Sequence, residues 1–163
     1  MKSRLLSDGA DWIIVAPSLP AGAHMAISQA SSFDSAIGAI TGRTWFGYLA
    51  RIVLTFGFWA SGLAKLIDFQ AGMAEMAHFG LEPAAAFNIA VIITQIGGSA
   101  LIIMNRWTWL GAGALAVFTL LTIPIAHNFW TMEEPFRTME FHVAMEHITV
   151  IGGLMVVAWK TSP

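Results

Sequence analysis

Four long apolar blocks, separated by short polar breaks, organise the chain from residue 44 onward. They cover residues 44–67, around the stretch IVLTFGFWASGLA, then 83–104, 107–129 and 139–159. A helix rises 1.5 Å per residue, so about 20 residues cross the roughly 30 Å of bilayer hydrocarbon. The blocks are continuous and do not alternate, which predicts helices and not the strands of a membrane barrel. Asn105 and Arg106 alone part the second and third blocks, so those two helices should form a tight antiparallel pair. Pro83 suits a first helical position. Pro124, near the end of the third block, frees a carbonyl one turn earlier that neighbours must satisfy. The pattern predicts an all-α fold, an integral membrane four-helix transmembrane bundle over residues 44–160.

An N-terminal extension, residues 1–43, precedes the bundle. Pro17, Pro20 and Gly22 interrupt it. Over residues 25–40, Ile27, Ala30, Phe33, Ile37 and Ile40 recur at helical spacing, predicting a short amphipathic helix. A helix lying on a lipid surface carries Lys or Arg on its polar face. This one has neither, so docking on protein is expected, on this bundle or on a partner subunit, with an interfacial helix or a loosely held arm as the alternatives. The first apolar stretch, 12–16, is too short for a secretory signal, and insertion by uncleaved helices is expected.

Composition agrees with lipid as the solvent: 56% of residues are hydrophobic, 11% are charged, and mean hydropathy is +0.68. Soluble domains carry about 25% charged residues. Net charge is −2 with no basic run, which argues against a nucleic-acid partner. Cysteine is absent, so disulfides, thiolate catalysis, thiolate metal sites and thioether haem attachment are excluded. Lys2, Arg4, Arg43, Arg106 and Lys160 collect on one side of the predicted topology. Lys65 and Arg137 lie on the other, among Asp68, Glu75, Glu82, Glu133 and Glu134. The positive-inside rule then makes both termini cytoplasmic and puts loops 69–82 and 130–138 outside. Trp45, Trp107, Trp109, Trp130 and Trp159 fall near block ends, as interfacial anchors do. Ala60/Ala64, Ala112/Ala116, Gly97-Gly98 and Gly152-Gly153 mark close helix contacts.

Ionisable side chains within a bilayer are costly and point to function. Arg51, Thr55, Phe58, Gly62 and Lys65 follow one helix face at 4/3/4/3 spacing, Arg51 toward the inner side and Lys65 toward the outer. Gly62 implies that the face is packed inward; snorkelling of both cations to the two interfaces is the alternative. Asp68 lies three residues after Lys65, within pairing reach on a helix. The richest region is the outer ends of the third and fourth blocks, with His127-Asn128-Phe129-Trp130 on one and Glu140, His142, Glu146 and His147 on the other. Glu140 and His147, seven apart, share a helix face; His142 and Glu146 share a different one. Imidazole and carboxylate ligate zinc, copper or iron, so His127 and His147 are candidates for a transition metal or haem. Neither HExxH nor a pair of Glu-x-x-His motifs is present. The same set suits proton handling or a quinone head group, whose carbonyls need donors of the kind His, Asn or Lys supply. A polar network tying four helix ends together is the purely structural alternative. Gln95, in the middle of the second block, should hydrogen-bond across helices.

The ordered residues resemble the DoxX family of small four-helix membrane proteins. The resemblance rests on Arg51 followed by Ser61-Gly62-Leu63-Ala64-Lys65-Leu66-x-Asp68, on Gln95-Ile96-Gly97-Gly98, on Ala126-His127-Asn128-Phe129-Trp130 and on Gly152-Gly153-Leu154. It covers about residues 44–160. The family more often has an acidic residue in place of Gln95, and a Lys-Asn pair where Glu146-His147 stand here. The resemblance implies a bacterial inner-membrane protein working beside quinone-linked respiratory or sulfur-oxidising reductases, in redox-stress complexes, or in maturation of periplasmic dehydrogenases. The expectation is a membrane subunit of an oxidoreductase complex, more a non-catalytic subunit than an enzyme alone. It would anchor partner subunits and line a site near the outer face with Lys65, Asp68, His127, Glu140, Glu146 and His147. Arg51 would mark the inner end of the same interior. A non-enzymatic assembly protein and a small His-based metal- or haem-binding protein are the rival expectations.

Overall fold

The computed structural model describes residues 33–161, which are mostly helical, with no strand among them. The chain divides between Thr41 and Gly42 into two units. In the first, residues 33–41 form a helix (α1). Phe33, Ile37 and Ile40 lie on it and are exposed, and Thr41 Oγ1 donates to the Ile37 carbonyl at 3.0 Å. The rest of the expected amphipathic segment, including Ile27 and Ala30, lies outside the described residues, as do Lys2 and Arg4.

The second unit holds the bundle: α2 (Thr44–Leu54), α3 (Phe56–Ile67), α4 (Phe69–His78), α5 (Ala84–Ile92), a π-helical turn (Ile93–Gly97), α6 (Gly98–Ile103), α7 (Thr108–Ala126) and α8 (Phe136–Lys160). Three straight apolar stretches are long enough to cross a membrane: Ala84–Ile103, Thr108–Thr131 and Phe136–Lys160. The first predicted span is not straight. It is broken at Thr55 into α2 and α3, bent by 58°, and counts as a fourth span when the pair is taken together. At the break Thr55 is fully buried, and its Oγ1 donates to the Arg51 carbonyl at 2.7 Å, a bond from residue i to i−4 that the unbroken α7 also carries at Thr119. Trp59 Nε1 donates to the Ile52 carbonyl at 3.3 Å, supplying a donor where the helical ladder is interrupted.

Segment 69–82, expected as a loop, contains α4. Asp68 is its N-cap, accepting from Ala71 N at 2.9 Å, and the helix ends before Gly80, whose φ of +71° reverses the chain. Pro83 takes the N-cap of α5 and not the expected first helical position, which falls to Ala84. The short break after α6 does produce the expected antiparallel pair. Asn105 and Trp107 adopt left-handed φ values of 54° and 52° to turn the chain within four residues. The two helices approach closely where both lack side chains: a Cβ on Gly111 would lie 2.6 Å from the Gly98 carbonyl oxygen.

The distribution of polarity identifies the solvent. Buried residues include Thr55, Asn88, Gln95, Ser99, Thr108 and Thr119. Exposed ones include Ile67, Ile93, Val53, Leu120 and Met155. A water-soluble chain does the reverse, burying its largest apolar side chains. The buried hydroxyls bond back to their own helices, Ser99 Oγ to the Gln95 carbonyl at 2.6 Å and Thr119 Oγ1 to the Leu115 carbonyl at 2.7 Å. A small apolar core of Ile102, Ala112, Leu115 and Leu154, flanked by Leu54 and Phe58, joins α6, α7 and α8 to the bent pair. This is an all-α, multi-pass membrane bundle.

Candidate functional site

At the end of the bundle where α3 passes into α4 and α7 gives way to α8, polar side chains from four segments converge. Lys65 stands in the last turn of α3. Its Nζ pairs with Glu75 Oε2 of α4 at 2.8 Å and donates to Ser61 Oγ at 3.3 Å. The expected Lys65–Asp68 pair is not made: α3 stops at Ile67, so Asp68 leaves the helical face and caps α4 instead. Glu75 is the residue that the sequence reading passed over. Two signals point to it: a lone carboxylate in an apolar run, and Glu75-x-x-His78, the one such spacing in the chain.

His127 is the C-cap of α7, and its Nδ1 lies 2.7 Å from Glu140 Oε2 on α8. One proton is shared along that line, on imidazole or on carboxyl. His147, two turns further along α8, meets His127 with ring centroids 4.7 Å apart and the rings tilted by 61°. Its Nδ1 lies 2.8 Å from the Val143 carbonyl. A carbonyl oxygen only accepts, so Nδ1 carries the proton and, in the neutral ring, Nε2 holds the lone pair. Glu140 and His147 therefore share the face expected of them. Glu146 does not join them. Adjacent helical residues are 100° apart, and Glu146 and His142 lie on the exposed side of α8.

These groups border a partly enclosed cavity of about 470 Å³. Lys65, Glu75, His127 and His147 line it together with apolar side chains such as Phe87, Phe118 and Ile125. Gln95 lines it too, and also a neighbouring cavity of about 270 Å³ that shares Ser61, Thr122 and His147. The expected cross-helix bond from Gln95 is not formed. Its Oε1 is buried without a partner, packed toward Gly62, where a Cβ would lie 3.5 Å away. Gln95 sits in the π-helical turn, which rotates the residues of that turn out of α-helical register.

Arg51 lies at the opposite end. Its Nη2 donates to Asn105 Oδ1 at 2.9 Å, and it lines a separate pocket with Lys160. The five residues of the 4/3/4/3 face are all buried or half-buried, so that face points inward as Gly62 implied. Among the described residues no three His, Asp or Glu side chains come together in a metal-ligating cluster. The arrangement supplies two imidazoles, a carboxylate–imidazole proton path, an ammonium and an amide around an apolar space. The volume falls in the range of small-molecule pockets.

No curated protein and no solved structure matches the chain. The family model DoxX matches residues 47–128, half of the chain. The match takes in Arg51, Lys65, Glu75, Gln95 and His127, and ends before Glu140 and His147. With its membrane bundle and this match together, the chain belongs to the DoxX family.

Proposed function

We propose that this protein is a membrane subunit of a quinone-linked oxidoreductase complex of the bacterial inner membrane, and that the cavity at its outer end takes the quinone head group. The observation that carries the reading is the convergence of His127, His147, Lys65 and Glu75 on one apolar cavity at a helix-end level, with Glu140 bonded to His127. A quinone is a flat, apolar ring bearing two carbonyl acceptors, and it supplies two-electron, two-proton redox chemistry when bound. The chain's own residues would orient it and handle protons: Lys65 would donate toward a carbonyl oxygen, the Nε2 lone pair of His147 would accept from the hydroxyl of the reduced quinol, and the His127–Glu140 line would carry protons from the exposed end. The chain has no cysteine, so electrons would come from a partner subunit with its own cofactor. Placing this end outside follows from Arg106 and Lys160 gathering at the far end, where Arg51 also lies, and it makes the C-terminus cytoplasmic.

The test uses the protein purified in mild detergent with whatever subunits accompany it. His147→Asn should weaken binding of a photoreactive quinone analogue about tenfold, the loss of roughly one hydrogen bond. His127→Gln should lower quinone-linked turnover about 100-fold, the lower range for a lost proton-transfer group. Analogue labelling and turnover that both survive these changes in an intact complex would reject the reading.

A further inference from the structure

The end of the bundle opposite the histidines carries positive charge without its counterpart. Arg51 of α2, Arg106 in the α6–α7 turn and Lys160 at the end of α8 gather there. The ion pairs Lys65–Glu75 and His127–Glu140 both lie at the other end. Among the described residues no carboxylate pairs with Arg51, Arg106 or Lys160.

Arg51 and Lys160 line one polar pocket of about 510 Å³. The guanidinium is half-buried and held in place. Its Nη2 donates to Asn105 Oδ1 at 2.9 Å, an oxygen that Thr108 Oγ1 also reaches at 3.4 Å. Gly47 leaves room for the other branch: a Cβ there would lie 3.5 Å from Nη1. A guanidinium has five N–H donors, so the bond to Asn105 leaves most of the fork unspent. Lys160 Nζ stands 5.1 Å from the Trp159 ring centroid, a cation–π contact that neutralises none of its charge. Trp107 and Trp109 also line the pocket, and both are exposed, as tryptophans at the water–hydrocarbon boundary are. The pocket therefore lies at the level of the lipid head groups.

We infer that this pocket binds the phosphate of an anionic phospholipid. Two fixed cations without a carboxylate call for an anion from outside the chain. The planar fork of Arg51 matches two phosphate oxygens at once, and Lys160 adds a second charge. α7 starts at Thr108, so the positive end of that helix borders the pocket as well. The depth of the pocket selects a phosphate carried by lipid, since basic pockets between membrane helices take anionic head groups. A zwitterionic head group cancels its own phosphate charge and gains less. The bound phosphate would join α2 to the ends of α7 and α8, tying the bent first span to the rest of the bundle. This pocket and the His127–His147 cavity are at opposite ends, so its ligand stands whether or not that cavity takes a quinone.

The test is lipid retention by the purified, delipidated chain, read by native mass spectrometry. Phosphatidylglycerol should be held about 20-fold more tightly than phosphatidylcholine, roughly fivefold for each of the two cations. Arg51→Gln and Lys160→Gln should each lower that preference about fivefold. Lys160→Gln is an exposed change at a helix end, so its effect is not one of misfolding. Arg106→Gln removes an exposed cation of the same end that does not line the pocket, and should leave the preference unchanged. Glycerol phosphate, the same anion without acyl chains, should not displace the lipid at equal concentration. Equal retention of the two lipids overturns the inference. So does an Arg106→Gln loss as large as that of Lys160→Gln, which marks diffuse surface charge. Displacement by glycerol phosphate at equal concentration also overturns it, because the ligand is then a free phosphate.

Discussion

The side chains that matter most are those whose neighbours leave them one charged partner. Lys65 is only 12% exposed and depends on Glu75, which is 46% exposed. Replacing Glu75 by Gln leaves the ammonium with Ser61 Oγ at 3.3 Å as its remaining partner. Because the pair is open on one side, solvent screening limits the cost to about 1 kcal/mol. That lowers the thermal midpoint in detergent by about 2–4 °C. Combining Glu75→Gln with Lys65→Met should cost less than the two single changes added together. Strict additivity in that cycle would show that the pair contributes nothing. Spacing made Glu140 and His147 legible from the sequence, since seven residues return a helix to the same face. It also showed why Glu146 needed caution: adjacency along the chain is a 100° turn around the helix, and the carboxylate lands outside. Glu75 was hidden because segment 69–82 reads as a connection until Asp68 is seen as its cap.

At the scale of the element, the apolar blocks placed the last three spans well, because bilayer length leaves little choice, and the first counts as a span only when its bent pair is taken as one. What they did not show was the bend. Hydropathy is high on both sides of Thr55, and the block reads through the break without a signal. The π-helical turn around Gln95 was equally hidden, since no residue type enforces it. Helix pairing responds to single atoms. Gly111→Ala puts a methyl 2.6 Å from the Gly98 oxygen and 2.9 Å from Leu101 Cβ, positions that yield only if α6 and α7 separate. We expect a loss of about 1–3 kcal/mol. Gly113→Ala, two residues on, meets nothing within 4 Å and should gain up to about 1 kcal/mol from helix propensity. Thermal unfolding of the two variants side by side checks both signs.

Taken whole, the molecule is built for two solvents, with hydroxyls and amides turned in, large apolar side chains turned out, and aromatic rings at the levels between. The turn joining α6 to α7 shows what that implies for measuring its stability. Trp107 holds a left-handed backbone, φ 52°, while its indole is 71% exposed. A bulky residue in that conformation carries about 1–2 kcal/mol of backbone strain that glycine would not. In a micelle, which reshapes itself around any protein surface, Trp107→Gly should therefore raise the melting temperature by a few degrees. In a planar nanodisc the same change removes a ring that fixes the turn at the water–hydrocarbon boundary, and the gain should shrink or reverse. For this residue, the sign of a stability effect belongs to the surrounding amphiphile as much as to the polypeptide.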